Sequence, residues 1–427
     1  MSEVAAYPPD WQPTTLAAVA DYLNGYPFKP RDWSTVGLPI VRIAQMTDPS
    51  ASFDYYPHPL PSGYCIDTGD LLFSWSATLS AMIWQRGPAY LNQHIFKVVP
   101  QNCNHLGFLH HLLNRLIEPL ANQSHGTTMK HVTRADLLPF PVTLPLFDEQ
   151  SRIAAVLDTV DEAIAKTEAV IAKLRQVRAG LLHDLLTRGL DAHGQLRDPS
   201  AHPEQFQASP LSQIPKEWNF EPLGARLQRI GGIIQTGPFG SQLHAHEYTT
   251  EGVPVIMPQD ILEGSVSIAQ IARIPATRAE ELKRHRVRLG DLIFARRGDL
   301  SRCAAITTRE VGWLCGTGCL LMRFSEPTLS PHWLSLAYRH DIGQRQIVAR
   351  AVGTTMVNLN TKLLAHLRFA FPPKDEQDDV VQRLADADTN IYKESANLSK
   401  LGLVKSGLMT DLLTGRVRVP ETIAITP

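Results

Sequence analysis

Side chains that could bind a metal ion are scattered along the sequence. They are Cys303, Cys315, Cys319, His110, His111, His244 and His246. The three cysteines make up half of a metal site at most, because no fourth ligand lies at a suitable spacing. We therefore interpret the cysteines as core or turn residues and the histidines as structural, and the sequence predicts no metal site.

Motifs for catalysis and nucleotide binding are missing. The sequence has no G-x-x-x-x-G-K-[ST] loop, no G-x-G-x-x-G turn, no H-E-x-x-H and no G-x-S-x-G. Phe371-Pro372-Pro373 lacks the Asn or Asp that precedes the prolines in an amino-methyltransferase. Glu149 and Glu376, each in an Asp-Glu-Gln triplet, are candidate general bases, but helix capping and the helix dipole explain a carboxylate at a helix start. The sequence thus predicts a protein without a catalytic site or a cofactor of its own.

One segment is strongly basic although the chain as a whole is neutral. The net charge is −1 and the pI about 7.0, yet residues 271–310 contain ten Lys or Arg against five Asp or Glu. Such a cluster can neutralise DNA phosphates, which would make binding depend on salt. A solvated strand-and-turn surface is the alternative interpretation. The candidate DNA-binding residues are Arg284, Arg286, Arg288, Arg296, Arg297 and Arg302 in this segment, and Lys130 and Arg134 in the first half.

Length and composition describe an ordinary globular protein. With 427 residues, 44% of them hydrophobic, the chain is long enough for two or three domains. Its N-terminus has no apolar core of the signal-peptide kind, and no run approaches 18 consecutive apolar residues. Five cysteines, an odd number, do not suggest a disulfide framework. We expect a cytoplasmic protein that does not associate with membranes.

The two halves of the sequence repeat each other. Residues 126–187 and 353–414 share 23 identities in 62 positions without a gap, at an offset of 227. The shared motifs include Gly-Thr-Thr-Met at 126–129 and 353–356, and Asp-Glu-Gln at 148–150 and 375–377. Upstream the match is looser, with Gly69-Asp70-Leu71-Leu72-Phe73 matching Gly290-Asp291-Leu292-Ile293-Phe294, and Trp11 matching Trp218. A constant scaffold beside a variable portion suits a protein that recognises two different ligands.

The constant portions are predicted to be long helices, and the variable portions mixed α/β with short strands. From Glu149 to Thr187 there is no proline, and apolar residues recur at steps of three and four, the spacing of a heptad seam. The seam consists of Ile153, Leu157, Val160, Ile164, Ile171, Leu174, Leu181 and Leu185, and in the second copy of Val380, Leu384, Ala387, Ile391, Leu398, Leu401, Leu408 and Leu412. Neither helix can bury its stripe alone, so we predict that the two pack on each other.

Polar residues in the seam predict that the helices run antiparallel. Thr167 and Arg178 interrupt the first copy, and Glu394 and Lys405 the second. In a parallel pair Arg178 would face Lys405, which is costly in an apolar seam. An antiparallel pair joins Arg178 to Glu394 and Thr167 to Lys405, and every apolar position between them meets an apolar one. We predict a salt bridge between Arg178 and Glu394 near the middle of the pair, with one variable domain at each end.

In their order along the chain, these motifs resemble the specificity subunits of type I restriction–modification systems. The resemblance rests on Gly237-Pro238-Phe239-Gly240-Ser241, Gly252-Val253-Pro254-Val255-Ile256, the repeated Gly-Thr-Thr-Met, and Gly-Leu-Met-Thr-Asp-Leu-Leu-Thr-Gly at 407–415. It covers nearly the whole chain. In the first half, the first of these motifs is reduced to Gly25-Tyr26-Pro27-Phe28.

The resemblance implies a division of labour between subunits. Each half of the chain would carry a target-recognition domain that reads one part of a split double-stranded DNA sequence, while the helices act as spacer and dock. Two methyltransferase (modification) subunits and motor–nuclease (restriction) subunits would be the partners. S-adenosylmethionine, Mg²⁺ and ATP would be bound by those partners and not by this chain.

The predicted fold is α+β with a pseudo-twofold internal repeat. Two mixed α/β target-recognition domains are separated by two long helices packed as an antiparallel coiled coil. The predicted bounds are 1–145 for the first recognition domain, 146–188 for the central spacer helix, 189–210 for a surface linker, 211–372 for the second recognition domain, 373–415 for the C-terminal helix and 416–427 for a loosely held tail.

Two other functions stay open from the sequence. One is a specificity subunit of a related bifunctional system, in which a single partner chain both methylates and cleaves. The other is a duplicated adaptor that binds protein instead of DNA, for which the near-neutral pI is the best support.

Overall fold

The computed structural model describes residues 7–123, 132–210, 213–239, 242–324, 328–351 and 358–422. The chain forms two compact units. The first unit is Met1–Ile171 with Glu394–Pro427, and the second unit is Ala172–Lys393. Each unit therefore combines one variable portion with one half of each long helix. Both copies of the Gly-Thr-Thr-Met motif lie outside the described residues, as do Lys130, Gly240 and Ser241.

Among the described residues, the first unit is built from short strands, three short α-helices, one α-helix of medium length and one half of each long helix. Its elements in chain order are β1 (Gln12–Thr15), α1 (Leu16–Val19), β2 (Ala20–Asn24), β3 (Leu38–Val41), α2 (Ile43–Thr47), β4 (Asp54–Tyr56), β5 (Cys65–Ile66), β6 (Leu71–Ser74), β7 (Ser80–Ile83), β8 (Ala89–Leu91), β9 (Ile95–Pro100), α3 (Leu106–Gln123), α4 (Arg134–Leu137), β10 (Pro141–Leu144) and α5 (Phe147–Thr187), which continues into the second unit.

The second unit follows a similar order. Its elements are β11 (Phe206–Ala208), β12 (Gln213–Pro215), β13 (Asn219–Pro222), α6 (Leu223–Arg229), β14 (Ile233–Thr236), β15 (Val253–Ile256), β16 (Ile261–Leu262), β17 (Ser265–Val266), β18 (Ala272–Ile274), α7 (Ala276–Glu281), β19 (Leu292–Ala295), β20 (Cys303–Ala305), β21 (Leu314–Cys315), β22 (Cys319–Arg323), α8 (Pro331–Arg339), α9 (Asp341–Ala351), α10 (Thr361–His366), β23 (Arg368–Phe371) and α11 (Lys374–Leu412), which continues into the first unit.

The internal repeat extends to the sheets. An antiparallel sheet in the order β2-β9-β6-β7 corresponds to β14-β22-β19-β20 in the second unit. The parallel neighbours β3 and β8 correspond to β15 and β21, and the antiparallel pair β1 and β10 corresponds to β13 and β23. The looser upstream match in the sequence therefore reflects one fold used twice, and the predicted α+β class is confirmed.

The two long helices run antiparallel inside each unit. In the first unit, Ile153 and Leu157 near the start of α5 share a core with Leu412 at the end of α11. In the second unit, Leu185 near the end of α5 shares a core with Val380 near the start of α11. Burial of these apolar residues is the main term that holds helix to helix, at about 25 cal/mol for each Å² removed from water.

A charged contact accompanies the helix pair in each unit, but not between the residues that the seam predicted. Arg178 donates from Nη2 to Oδ2 of Asp388 at 2.9 Å in the second unit, and Lys405 Nζ lies 2.5 Å from Asp161 Oδ1 in the first. Arg178 thus pairs with Asp388, six residues before the predicted Glu394. The repeat relates Arg178 to Lys405 and Asp161 to Asp388, so equivalent positions form the same ion pair once in each unit.

The physical reason for this correction is the length of the basic side chains. Arg and Lys reach out of a seam to carboxylates on its flank, where the charges stay hydrated and are not buried at a cost. The Asp388 side chain is 52% exposed, in keeping with such a flanking position. Thr167, the other polar residue of the first seam, donates its hydroxyl to Ala163 O at 2.8 Å and needs no partner across the helix pair.

Most residues of 189–210, predicted as a surface linker, are exposed, but buried residues anchor this segment and the described part of the predicted tail, 416–422. Leu190 and Phe206 are buried after α5, and Val419 is buried after α11. Arg197 Nη1 donates to Glu376 Oε1 at 2.7 Å, and Arg418 Nη2 donates to Glu149 Oε2 at 2.7 Å. Each segment thus carries an arginine to the buried glutamate that begins the other long helix.

A tryptophan completes this arrangement in both units. Trp11 donates its indole N–H to Glu149 Oε2 at 3.3 Å, and Trp218 donates to Glu376 Oε2 at 3.1 Å. Each tryptophan precedes the strand that pairs with the strand leading into the long helix, so the topology brings it to the helix start. We refer to Trp11, Glu149 and Arg418, and to Trp218, Glu376 and Arg197, as the two Trp–Glu–Arg clamps.

The glutamine of each Asp-Glu-Gln triplet ties the same helix start to the recognition portion. Gln150 Oε1 accepts the His105 backbone N–H at 2.9 Å, just before α3. Gln377 Oε1 accepts the Ser330 backbone N–H at 2.8 Å, just before α8. His105 and Ser330 therefore hold equivalent places, and each triplet satisfies a backbone donor that the helix start would otherwise leave unpaired.

We expect Glu376→Ala to destabilise the second unit by about 3 kcal/mol, because it leaves the buried Arg197 without a counter-charge. Unfolding in urea and hydrogen exchange at the Leu190 amide, which donates to Glu376, measure this. The control is Asp379→Asn, an exposed acid about one turn further along α11. Equal stability of the two variants would show that the clamp does not hold the unit together.

Candidate nucleic-acid interface

Part of the basic segment is neutralised inside the second unit. Four of its cations form ion pairs with acidic neighbours. They are Arg278 with Glu247 and Glu281, Arg286 with Glu280, Arg302 with Asp299, and Arg309 with Glu310. A count of cations along the sequence therefore overstates the charge that this surface offers to a ligand.

Three of the six predicted DNA-binding arginines in this segment hold the fold. Arg286 donates to Gly312 O, and Arg302 donates to Gln259 O at 3.2 Å, in addition to their ion pairs. Arg296, half-buried, donates from Nε to Leu359 O at 3.2 Å. These guanidinium groups connect loops to each other, so the structure gives them a positioning role.

The other three predicted arginines point to the surface. Arg288 and Arg297 are exposed, and within the described ranges their side chains have no hydrogen bond or ion pair. Arg284 is exposed and donates from Nε to His285 Nε2 at 2.9 Å. Burial and the neighbouring Arg284 charge lower the pKa of His285, which keeps the ring neutral and able to accept this bond.

Three loops of the second unit meet near Arg284 and Arg297. Gly237 N–H donates to Cys319 O at 3.0 Å, and Arg296 N–H donates to Gly318 O at 2.8 Å. A Cβ on Gly237 would lie 2.1 Å from Gly316 O, so only glycine permits this approach. Phe239, two residues further, is 55% exposed. We call residues 237–239, 284, 296–297 and 316–318 the second-unit loop cluster.

The cysteines beside this cluster are core residues. Cys303, Cys315 and Cys319 are buried, and burial raises the pKa of the Cys303 thiol to about 12. Burial likewise raises the pKa of the Cys315 and Cys319 thiols. Groups that resist deprotonation to this extent are poor metal ligands, because the thiolate is the form that binds.

The first unit has a corresponding loop of different character. Gly25 N–H donates to Ile95 O at 3.2 Å, and a Cβ on Gly25 would lie 2.3 Å from Leu91 O. The reduced Gly-Tyr-Pro-Phe motif therefore keeps a glycine at the position of Gly237, where the close approach of the backbone requires one. Phe28, in contrast to Phe239, is buried, and the Tyr26 ring packs on it with the centroids 4.9 Å apart.

A groove of about 620 Å³ lies beside this loop. Of the two predicted DNA-binding residues in the first half, Lys130 lies outside the described residues and Arg134 lines this groove. Arg134 is exposed at the start of α4. Polar side chains on the same groove are Asn24, Tyr64 and Gln93. Sequence reasoning missed these three because β2, the turn before β5 and the turn before β9 are far apart along the chain. The only sequence signal was the Gly25 motif next to Asn24. We call Asn24, Tyr64, Gln93 and Arg134 the first-unit groove.

The chain thus consists of two units of one fold, each with a glycine-dependent loop that bears different side chains. A sequence model for the type I restriction modification DNA specificity domain matches residues 8–176. The specificity subunit of the type I restriction enzyme EcoBI from Escherichia coli is 23% identical over 382 residues, which are 88% of this chain and 78% of that protein. The MjaVIII specificity subunit from Methanocaldococcus jannaschii is 21% identical over 364 residues, 83% of this chain and 80% of that protein.

Solved structures share the fold. The S subunit of a type I restriction-modification system from M. genitalium matches with a TM-score of 0.56 at 15% identity, over 96% of this chain and 98% of that one. A second match is a chain from a structure that describes the structural basis of complex assembly and conformational transition in the type I R-M system. Its TM-score is 0.58 at 17% identity, over 96% of this chain and 100% of that one. These structures show a shared fold, and the sequence matches confirm the resemblance to type I specificity subunits that was drawn from the sequence.

The described residues contain no helix that is both long and apolar enough to cross a membrane.

We expect Gly237→Ala to open the second-unit loop cluster, because the added methyl group clashes with the Gly316 carbonyl and backbone shifts of this kind cost about 1–3 kcal/mol. Faster hydrogen exchange at the Gly237 and Arg296 amides is the measurement. Gly63→Ala is the control, since its Cβ meets no atom within 4 Å. Wild-type exchange in Gly237→Ala would disprove the packing of these loops.

Proposed function

We propose that this chain reads a bipartite DNA sequence with the first-unit groove and the second-unit loop cluster, as the specificity subunit of a type I restriction–modification complex. The observation that carries the proposal is the same glycine-dependent loop in both units with different side chains around it. A shared scaffold with two unlike surfaces is what a split, asymmetric target requires.

The chemistry of the two surfaces fits DNA in different ways. In the second unit, Arg284 and Arg297 of the loop cluster, and the exposed Arg288 outside it, are suited to phosphate oxygens or to the O6 and N7 atoms of guanine. In the first-unit groove, the amides of Asn24 and Gln93 are of the type that pairs with the N6 and N7 edge of adenine. The first surface therefore depends more on hydrogen bonding, and the second more on charge.

Exposed apolar residues on the long helices support docking of two identical partners. Val177 and Val404 are related by the repeat, and each is about half exposed. Leu403 is 75% exposed and Tyr392 is 76% exposed on α11. Since each unit offers its own copy of the repeated valine, we propose that two methyltransferase subunits dock there and that motor–nuclease subunits join the resulting complex.

Catalysis belongs to those partners in this proposal. Specificity subunits are non-catalytic as a family, and the assembled complex would be the adenine-N6 methyltransferase and site-specific deoxyribonuclease. S-adenosylmethionine, Mg²⁺ and ATP would be bound outside this chain. We propose a cytoplasmic location because chromosomal and invading DNA would be the ligands.

A duplicated adaptor that binds only protein is the second candidate, favoured by the near-neutral pI and by the internal ion pairs of the basic segment. A gel-shift of the chain with a cognate methyltransferase subunit separates the two. Retarded DNA supports the specificity subunit, and a stable protein complex that retards no DNA supports the adaptor. A partner that carries both methylation and cleavage in one chain would indicate the bifunctional system.

A plot of log K against log[salt] has a negative slope, to which each phosphate contact contributes about −0.9. We expect Arg288→Ala with Arg297→Ala to reduce the magnitude of this slope by about 1.8, because two phosphate contacts are lost. Binding of duplex DNA by the complex with methyltransferase, measured across salt concentrations, tests this. The matched control is Arg229→Ala with Arg345→Ala, which removes two exposed cations of the second unit that are already paired with Glu221 and Asp341. Equal slopes for both double variants would remove Arg288 and Arg297 from the interface.

We expect Val404→Lys to reduce the methyltransferase stoichiometry from two to one per chain, and Val177→Lys with Val404→Lys to abolish docking, because a charge in an apolar contact must be desolvated. Analytical ultracentrifugation measures the composition of the complexes. Val311→Lys is the control, since this valine is 50% exposed but lies outside the long helices. Two bound subunits in the double variant would contradict the docking surface.

A further inference from the structure

We propose that His110, His111 and Asp158 bind a zinc ion that joins α3 to α5 in the first unit. The ligand atoms of these three side chains all lie within 4.8 Å of one another. Imidazole nitrogens and a carboxylate oxygen are among the ligands that Zn²⁺ prefers. The sequence predicted no metal site, because Asp158 is far from the histidines along the chain and only the packing of α3 on α5 brings it close.

The hydrogen bonding of the histidines is incomplete without a ligand. His111 is fully buried, and its Nε2 lies 2.7 Å from Asp158 Oδ1. Within the described residues, neither His110 Nδ1 nor His111 Nδ1 has a hydrogen-bond partner although both atoms are buried. Leaving buried ring nitrogens unpaired costs free energy. An ion could use the unpaired Nδ1 of His110 directly, whereas His111 would coordinate through Nε2 and leave its Nδ1 to Asp161.

The surroundings complete the coordination chemistry. Tetrahedral bonds of 2.0–2.1 Å place ligand atoms about 3.3 Å apart. His111 Nε2 and Asp158 Oδ1, now 2.7 Å apart, must therefore separate slightly, and ligand atoms now up to 4.8 Å apart must approach. With zinc on Nε2, the Nδ1–H of His111 would face Asp161 Oδ2, now 3.9 Å away, as the second carboxylate that orients a ligating histidine.

Charge and access are also suitable. Asp161 is paired with Lys405, so Asp158 leaves one uncompensated negative charge beside the two rings, which suits a divalent ion. The Asp158 side chain is 53% exposed, which gives the ion a path from solvent and leaves room for a water molecule as fourth ligand.

The second unit shows that the fold does not need this polar cluster. By the equivalence of His105 with Ser330 and of Glu149 with Glu376, the corresponding residues are Ser335, Leu336 and Ala385. Ser335 donates to Cys303 O, and Leu336 packs on the core of the second unit. The same scaffold is therefore filled there by residues that bind no metal, and the cluster is a feature added to the first unit.

Zinc titration into the metal-free full-length chain, followed by calorimetry and by metal analysis after dialysis, tests the proposal. We expect one Zn²⁺ per chain at neutral pH. The variant His110→Ser, His111→Leu, Asp158→Ala, which installs the residues of the second unit, should bind none. Asp158→Asn, which keeps the side-chain volume, should weaken binding at least tenfold.

His244→Ala with His246→Ala is the matched control, because these stacked, exposed histidines lie in the second unit. It should bind zinc as the wild type does. No uptake by the wild-type chain, or unchanged uptake in Asp158→Asn, would overturn the proposal. Neither result would affect DNA reading, which uses other residues.

Discussion

A buried carboxylate at the start of each long helix is the constraint on which the rest of this structure depends. Glu149 and Glu376 are buried, and a buried charge is stable only beside a cation and hydrogen-bond donors. Both cations come from chain that follows the other long helix, Arg418 for Glu149 and Arg197 for Glu376. An arginine just past the end of one helix can reach the start of the other only if the two run antiparallel in that unit. The clamps therefore specify helix direction and also order the segments after the helices.

The same triplets explain how the recognition surfaces vary on a constant frame. The glutamine after each buried glutamate accepts the backbone N–H before α3 or α8, so the helix that supports the recognition sheet is tied to the long helix through main-chain atoms. Main-chain contacts do not depend on the side chains of the loops. Phe239 can thus be exposed where its counterpart Phe28 is buried, while Gly25 and Gly237 keep the same close approach of backbone to backbone.

Much of the fold could be predicted from the sequence because it is encoded locally or by repetition. The heptad seams, the absence of proline from Glu149 to Thr187, and the 227-residue offset predict two long antiparallel helices in a duplicated α+β chain. Side-chain partners could not be predicted in the same way. Pairing Arg178 with Glu394 assumed that seam residues face seam residues, whereas the long guanidinium side chain reaches Asp388 on the flank. Only the identity of Asp161 and Asp388 in the two copies signalled that pairing. The composition of residues 189–210 predicted a linker. The contact that anchors this segment could not be predicted, because nothing local marks Arg197 as the partner of a glutamate 179 positions away.

The candidate site shows the limit of composition most clearly. Ten cations in forty residues predict a basic surface, but four of them pair with acids, nearly all of them close neighbours in the same segment, and Arg296 donates to a backbone carbonyl. What remains for a ligand is a small set of arginines around a glycine-dependent loop. The first unit, with few cations, instead gathers amide and phenol groups from the end of β2 and from two separate turns into one groove. Charge acts at a distance and tolerates imprecise placement, whereas hydrogen bonds to base edges need positions set to within a fraction of an ångström. A chain with both kinds of surface would gain salt-dependent affinity mainly through its second unit, while its first unit would contribute to discrimination more than to attraction.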